Sequence, residues 1–262
     1  MPEITKYAPG AFCWSELGTS DPDAAKNFYK QVFGWAANDI PAGPDMVYTM
    51  LSKDGKDVGA LYKLKDEHKA MGIPPHWLSY ISVESADETA KKAKELGGTV
   101  EMEPFDVFDV GRMAVIQDPT GATFAIWQPR SSIGAKVRDE TNTLCWNELN
   151  TNDTGKALEF YTKLFGWTSK TDDNSTTPYT EFMNAGTPHG GMIQIAPEWG
   201  KVPPHWLLYF AVDDCDGTVG KATGVGASTV LPPTDIPNVG RFALIADPQG
   251  AMFAVIKLEA RS

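Results

Sequence analysis

Long apolar runs are missing from this chain, so no segment of it reads as a membrane span. Its first residues, MPEITKYAPGAF, lack a basic stretch followed by an apolar one. No export leader is legible there, and the cytoplasm is the expected location. Cysteine is scarce: Cys13, Cys145 and Cys215 are odd in number and scattered. That excludes a disulfide framework and a cysteine-rich zinc site. Basic charge is scarce as well, with 23 Lys and Arg against 34 Asp and Glu and a net charge of −11. Without a basic stripe, nucleic acid is not an expected partner. No glycine-rich strand-turn-helix is present to cradle a phosphate. What remains, 42% hydrophobic and 22% charged residues, is the composition of an ordinary soluble globular protein.

What the chain does have is repetition. FCWSELGTSDPDAAKNFYKQVFGW (12–35) returns as LCWNELNTNDTGKALEFYTKLFGW (144–167), with 12 of 24 positions identical. PPHWLSYISV (74–83) returns as PPHWLLYFAV (203–212), with seven of ten identical. GRMAVIQDPTGATFAIWQ (111–128) returns as GRFALIADPQGAMFAVIK (240–257), with ten of 18 identical. The order is kept and the offset drifts only from 132 to 129 residues, so the chain is a tandem duplication. Two domains are expected, 1–132 and 139–262, joined by a linker at 133–138.

Each copy repeats a pattern within itself. Asp21 followed by Pro22 predicts a helix start, and Ala24, Ala25, Phe28, Tyr29, Val32 and Phe33 form an apolar stripe that Gly34 ends. Strands are expected near Phe12–Thr19, Trp35–Ile40, Met46–Ser52 and Val58–Lys63. The pattern restarts with a strand at His76–Val83 and a capping box at Ser85–Glu88 that opens a helix ending at Gly97 and Gly98. Strands near Thr99–Met102, Arg112–Gln117 and Thr123–Gln128 follow, the last two joined by a tight turn at Asp118-Pro119-Thr120-Gly121. Each copy is therefore two βαβββ modules, and the chain holds four.

Asp21, Phe28-Tyr29, Phe33-Gly34-Trp35 and Asp118-Pro119-Thr120-Gly121, each with a twin in the second copy, resemble the vicinal oxygen chelate superfamily of glyoxalases, bleomycin-resistance proteins and extradiol dioxygenases. The tandem form is similar to two-domain mycobacterial and other actinobacterial members. The resemblance implies an α+β fold: a tandem duplication of glyoxalase/bleomycin-resistance domains whose four modules form curved mixed sheets with helices on the convex face. It also implies that the two domains pack on one another as a pseudo-dimer in a monomeric chain, which leaves homodimerisation open. In the superfamily a divalent metal sits in each cup. The family pattern places its three ligands at Trp14, Leu78 and Ala125, and in the second copy at Trp146, Leu207 and Ala254. Trp, Leu and Ala do not ligate metals, so neither a metal nor another cofactor is expected.

Strand alternation sets Glu16 on the face of Trp14, and His76 on the face of Leu78 and Tyr80, with Cys13, Ser15 and Leu17 on the opposite face. Glu16 and Glu148 should point into the cups, where desolvation would raise their pKa and suit them to proton transfer; the alternative is a structural carboxylate. His76 and His205 are either ligand contacts or strand-start histidines bonded to a loop. Trp14, Trp146, Tyr80 and Tyr209 either wall a planar ligand or fill the vacated metal cavity. Arg112 and Arg241 either clamp an anion or pair with the glutamates. His189 has no twin, because the aligned position is Asp57. The leading expectation is a metal-free cup binding a small organic molecule, possibly aromatic. The alternatives are a metal-independent lyase or isomerase using a cup glutamate as base, an enzyme of lactoylglutathione lyase or hydroxylase type, and an inert scaffold.

Overall fold

The computed structural model describes residues 3–43, 46–70, 72–172 and 178–259. In the first half, β1 (Phe12–Thr19) leads into α1 (Pro22–Phe33), then β2 (Ala36–Gly43), β3 (Met46–Lys53) and β4 (Lys56–Lys63). A short α2 (Asp66–Ala70) bridges to β5 (His76–Ser82), α3 (Ala86–Glu95), β6 (Thr99–Val107), β7 (Gly111–Gln117) and β8 (Thr123–Pro129). The second half repeats this with β9 (Leu144–Thr151), α4 (Thr154–Phe165), β10 (Thr168–Asp172), β11 (Tyr179–Asn184) and β12 (Thr187–Gln194). After a 3-10 turn at Pro197–Trp199 come β13 (His205–Ala211), α5 (Cys215–Gly224), β14 (Ser228–Ile236), β15 (Gly240–Ala246) and β16 (Met252–Leu258).

The helix boundaries follow the capping chemistry. The Asp21 side chain accepts from the Ala24 amide, Pro22 takes the first helical position, and Gly34 closes the helix at φ 74°. Ser85 caps α3 by accepting from the Glu88 amide. The main extension beyond expectation is β6, which runs to Val107 because two register shifts carry its pairing with β7 past Met102.

Each half is one mixed eight-stranded sheet, in the order β2-β3-β4-β1-β5-β8-β7-β6 and β10-β11-β12-β9-β13-β16-β15-β14. The first strands of the two modules, β1 and β5, pair antiparallel at the centre, and β1–β4 and β5–β8 pair parallel. The α+β architecture and the four modules are as the sequence implies.

The helix-bearing faces of the two sheets meet, so each of the two large cores is shared between the halves. One joins the α1 stripe, Ala25, Phe28, Tyr29, Val32 and Phe33, to Phe210, Val219 and Phe253 of the second half. The other joins Ala90, Ala93 and Phe124 to Phe160, Tyr161 and Leu164. Hydrogen bonds stitch the same junction. Trp77 Nε1 donates to the Tyr29 hydroxyl (3.0 Å), which donates to Asp247 across the junction (3.0 Å). Its twin runs from Trp206 through Tyr161 to Asp118, at 2.8 Å for both bonds. The recurring Phe-Tyr and Asp-Pro motifs are thus two ends of one contact between domains. Tyr29, part of the apolar stripe of α1, also bridges the halves through its hydroxyl.

The expected linker is packed onto the first half. Ala135 N–H donates to the Cys13 carbonyl (2.8 Å), Lys136 N–H to the Asp57 carbonyl (2.8 Å), and Arg138 to the Phe12 carbonyl (2.7 Å). Gly134 permits this approach: its φ is 104°, and a Cβ there would lie 2.3 Å from the Cys13 carbonyl oxygen. Gly134→Ala should therefore destabilise the chain by about 2–4 kcal/mol, read by chemical denaturation.

Two expectations from strand alternation change. A register shift in β1 between Phe12 and Trp14 turns Cys13 onto the concave side, against Trp14 and Tyr80, whereas Ser15 and Leu17 stay opposite. In β4 the pairing with β3 jumps from Gly59 to Asp57, as it jumps from Gly190 to Pro188 in the second half. The bulged twin of His189 is therefore Val58, a core residue, and not Asp57. His189 likewise points inward: its Nε2 accepts from the Phe12 amide (2.7 Å) and its ring stacks on Phe12. Burial, first, and the nearby Arg138 push its pKa down to about 3, so it is a neutral, half-buried histidine.

Candidate functional site: two concave sheet faces

The concave faces carry two smaller apolar clusters. The first gathers Trp14, Ala60, Leu78, Tyr80, Met113, Ala125 and Trp127. The second gathers Cys145, Leu207, Tyr209, Ala254 and Ile256. Register sets the rows: Trp14 stands opposite Tyr80, Glu16 opposite Leu78 and Gly18 opposite His76. The second half repeats them as Trp146 with Tyr209, Glu148 with Leu207 and Asn150 with His205.

In each cup a central glutamate is held by tyrosine. The Tyr80 hydroxyl donates to Glu16, and Tyr209 donates to Glu148 (2.9 Å). A second tyrosine hydroxyl, from an outer strand of the glutamate's own module, lies beside the same carboxyl and favours its charged form: Tyr48 for Glu16 and Tyr179 for Glu148. The indoles complete each set, Trp14 Nε1 donating to Tyr48 (3.2 Å) and Trp146 Nε1 to Tyr179 (2.8 Å). Each cup thus holds a Trp–Tyr–Glu–Tyr tetrad. Burial raises the pKa of Glu16, and the Tyr80 and Tyr48 bonds oppose it only in part. Glu148 is raised for the same reason, with Tyr209, Tyr179 and Asn150 opposing. The tyrosines are raised well above their ordinary value, by burial first and then by the adjacent carboxyl.

Tyr48 and Tyr179 were missed in the sequence. The signal was there: Tyr48-Thr49 recurs as Tyr179-Thr180 at an offset of 131 residues, within strands whose other positions diverge. Tyr62 and Met113 were also missed. Both face the first cup, where Tyr62 raises no twin because Ile193 occupies its register position.

The histidines stand at the margin. His76 Nδ1 bonds the Pro74 carbonyl (2.8 Å) and His205 Nδ1 the Pro203 carbonyl (2.9 Å). Burial lowers both pKa values, outweighing those carbonyl bonds. The arginines lie outside the cups. Arg112 alternates with Met113, so it points to the helix side, where it bonds Asp87 on α3 (2.8 Å) and Asp106 (3.0 Å). Arg241 does the same with Asp216 (2.6 Å) and Asp235 (3.0 Å). Strand alternation, which the sequence reading applied to β1 and β5 but not to β7 and β15, accounts for this placement. The arginine bonds hold Asp87 and Asp216 below the usual carboxylate range.

The metal that the fold family implies has no fitting donors at the family's positions. Trp14 offers an indole N–H already given to Tyr48, while Leu78 and Ala125 offer hydrocarbon. The second cup has Trp146, Leu207 and Ala254. Among the described residues no three or more His, Cys, Asp or Glu side chains gather elsewhere as a ligand set. No helix among them is long and apolar enough to cross a membrane.

Comparison with known proteins agrees with the fold. The family model described as Glyoxalase/Bleomycin resistance protein/Dioxygenase superfamily matches residues 12–126 and again 143–255. "Putative glyoxylase CFP32" of Mycobacterium bovis is 42% identical over 259 residues, covering 98% of each chain. "Anthracycline biosynthesis protein DauV" of Streptomyces sp. strain C5 is 36% identical over 268 residues, covering 97% of this chain and 96% of the relative. Among solved structures, the Mn(II)-bound glyoxalase of Novosphingobium aromaticivorans superposes with a TM-score of 0.66 at 15% identity, covering 96% of this chain and 83% of that one. Homoprotocatechuate 2,3-dioxygenase of Brevibacterium fuscum, in complex with 3,4-dihydroxyphenylacetate, gives 0.63 at 15% identity, covering 99% and 84%. With its family pattern matched in both halves, this chain belongs to the glyoxalase/bleomycin resistance protein/dioxygenase superfamily.

Proposed function

We propose that this chain binds a small, planar, hydroxylated aromatic molecule on a concave sheet face, without a divalent metal at the family's ligand positions. The observation that carries this reading is the tetrad. An apolar wall of Trp and Tyr surrounds one carboxyl that accepts from one tyrosine hydroxyl and has a second beside it. Such a group is preorganised to accept from a ligand hydroxyl while the aromatic side chains cover its ring. The anthracycline in the name of a relative 36% identical to this chain is a fused-ring aromatic of that kind.

A second reading is favoured by the raised carboxyl. A glutamate with an elevated pKa beside a tyrosine can take and return a proton next to a carbonyl, which would make the protein a metal-independent lyase or isomerase. Glyoxalase chemistry proper needs a metal to polarise the enediolate, and the side chains at the ligand positions do not serve it.

Titration of the full chain with 1,4-dihydroxyanthraquinone, followed by tryptophan fluorescence and native mass spectrometry, should show a complex with micromolar affinity. Elemental analysis should find well under one equivalent of transition metal per chain. Stoichiometric zinc, nickel, iron or manganese that survives dialysis would overturn the metal-free reading. Turnover of the probe, or of a 2-oxoaldehyde adduct, would favour the enzyme.

A further inference from the structure

We propose that only the second cup takes the ligand, and that the first is closed by its own side chains and by the segments that border it. This rests on the small-molecule reading above and assigns that site to one half of the chain. The duplication kept the tetrad in both halves but not its cover. In the first cup Trp14 and Glu16 are each 8% exposed. Their twins Trp146 and Glu148 are only partly buried.

The cover of the first cup has identifiable parts. Tyr7, from the segment before β1, donates to the Ala135 carbonyl (2.9 Å) and packs on the cluster with Ala135 itself. Trp127 is fixed over the same cluster by its Nε1 bond to the Ser132 carbonyl (2.9 Å). The Met113 sulfur lies 3.9 Å from the Tyr80 hydroxyl. Tyr62 fills the row beyond Glu16, where it pairs with Gly18 and with Tyr48.

Most of these are smaller or absent in the second half. Among the described residues, the second cluster draws only on its own sheet. Ile256 replaces Trp127, and Ile193 replaces Tyr62. Asn150 takes the place of Gly18, and its Nδ2 donates to the Glu148 backbone carbonyl (3.5 Å). Glu181 takes the place of Met50, one strand beyond Gly191, whose missing side chain makes room for the Tyr179 ring. Phe242 replaces Met113 and lies near-parallel to Tyr209, with centroids 6.1 Å apart. The result is a partly exposed aromatic wall of Trp146 and Phe242 beside the partly buried Glu148 carboxyl. That suits a flat ring system carrying hydroxyl groups, and the first cup, whose equivalent space is occupied by Tyr62 and Trp127, does not offer it.

Hydroxyl-radical footprinting of the full chain, with and without 1,4-dihydroxyanthraquinone, tests this directly, because Trp14 and Trp146 are the same residue type in twin positions. In the free protein Trp146 should be oxidised at least fivefold faster than Trp14. The probe should bind at one equivalent per chain, slow labelling at Trp146 and Phe242, and leave Trp14 and Met113 unchanged. Glu148→Gln should weaken that binding at least tenfold. Equal oxidation of the two tryptophans, two equivalents of probe, or protection centred on Trp14 would each overturn the proposal. A probe that fails to bind while Trp146 stays the faster of the two supports closure of the first cup and counts against the ligand class, which separates this inference from the function it rests on.

Discussion

Replacing Asp118 by alanine should destabilise the chain by about 3–5 kcal/mol, the largest single-residue effect anticipated outside the packed cores. The Asp118 Oδ1 accepts from the Thr120, Gly121 and Ala122 amides and from the Thr120 hydroxyl, at 2.7–3.1 Å. Its Oδ2 accepts from Tyr161 of the other half (2.8 Å). Alanine would leave several donors buried without partners, and each such group costs about 1–3 kcal/mol before relaxation. Asp247→Ala should act in the same direction, since Asp247 holds the Gln249 and Ala251 amides (both 2.9 Å) and the Tyr29 hydroxyl. Tyr161→Phe removes the contact between halves and the acceptor for Trp206 Nε1, and should cost about 1–3 kcal/mol. Urea unfolding of the three variants decides the matter. A loss below 1 kcal/mol for Asp118→Ala would mean that the turn and the junction are held by packing alone.

The double substitution Glu16→Gln and Glu148→Gln should have a stability effect that depends on pH. Both carboxyls have folded pKa values above the unfolded value of about 4.3, chiefly from desolvation. Below that value both states are protonated and the glutamates cost nothing as charges. As pH rises, the unfolded chain loses its protons first, so wild-type stability falls until the folded pKa values are passed. The glutamine variant does not share that fall. It should match wild type near pH 4 and exceed it by on the order of 1–2 kcal/mol at pH 8, with weaker binding of a hydroxylated aromatic probe. Thermal melts across that range check it. A difference that is constant with pH would show that the carboxyls ionise without penalty and that the tyrosine hydroxyls, with water, solvate them fully.

Local chemistry and repetition made much of the fold legible. Asp21 with Pro22, and Ser85 with Glu88, announce helix starts because their side chains satisfy amides a few residues away. The apolar stripe of α1 is legible because its period is that of the helix. Glu16, Trp14 and Tyr80 could be put on one face because strand alternation has period two, and the register bears this placement out up to the bulge at Cys13. The repeat told which residues the two halves share.

Only the tertiary structure decided what those residues touch. Tyr29 and Asp247 are 218 positions apart, and no local rule relates them until two sheets meet through their helix-bearing faces. The bulge that turns Cys13 inward depends on pairing with β5, and the one that makes Val58 the twin of His189 depends on pairing with β3. Tyr48 joins the tetrad because β3 and β4 fold back beside β1, which brings a distant hydroxyl to Glu16. Arg112 turns from the cup because Asp87 and Asp106 lie on the other side of its strand. The difference in cover between the cups arises from Tyr7 and Ala135, which are neighbours in space and 128 residues apart in the chain. A sequence repeat records what two halves share; which neighbours close over each copy is set by long-range packing.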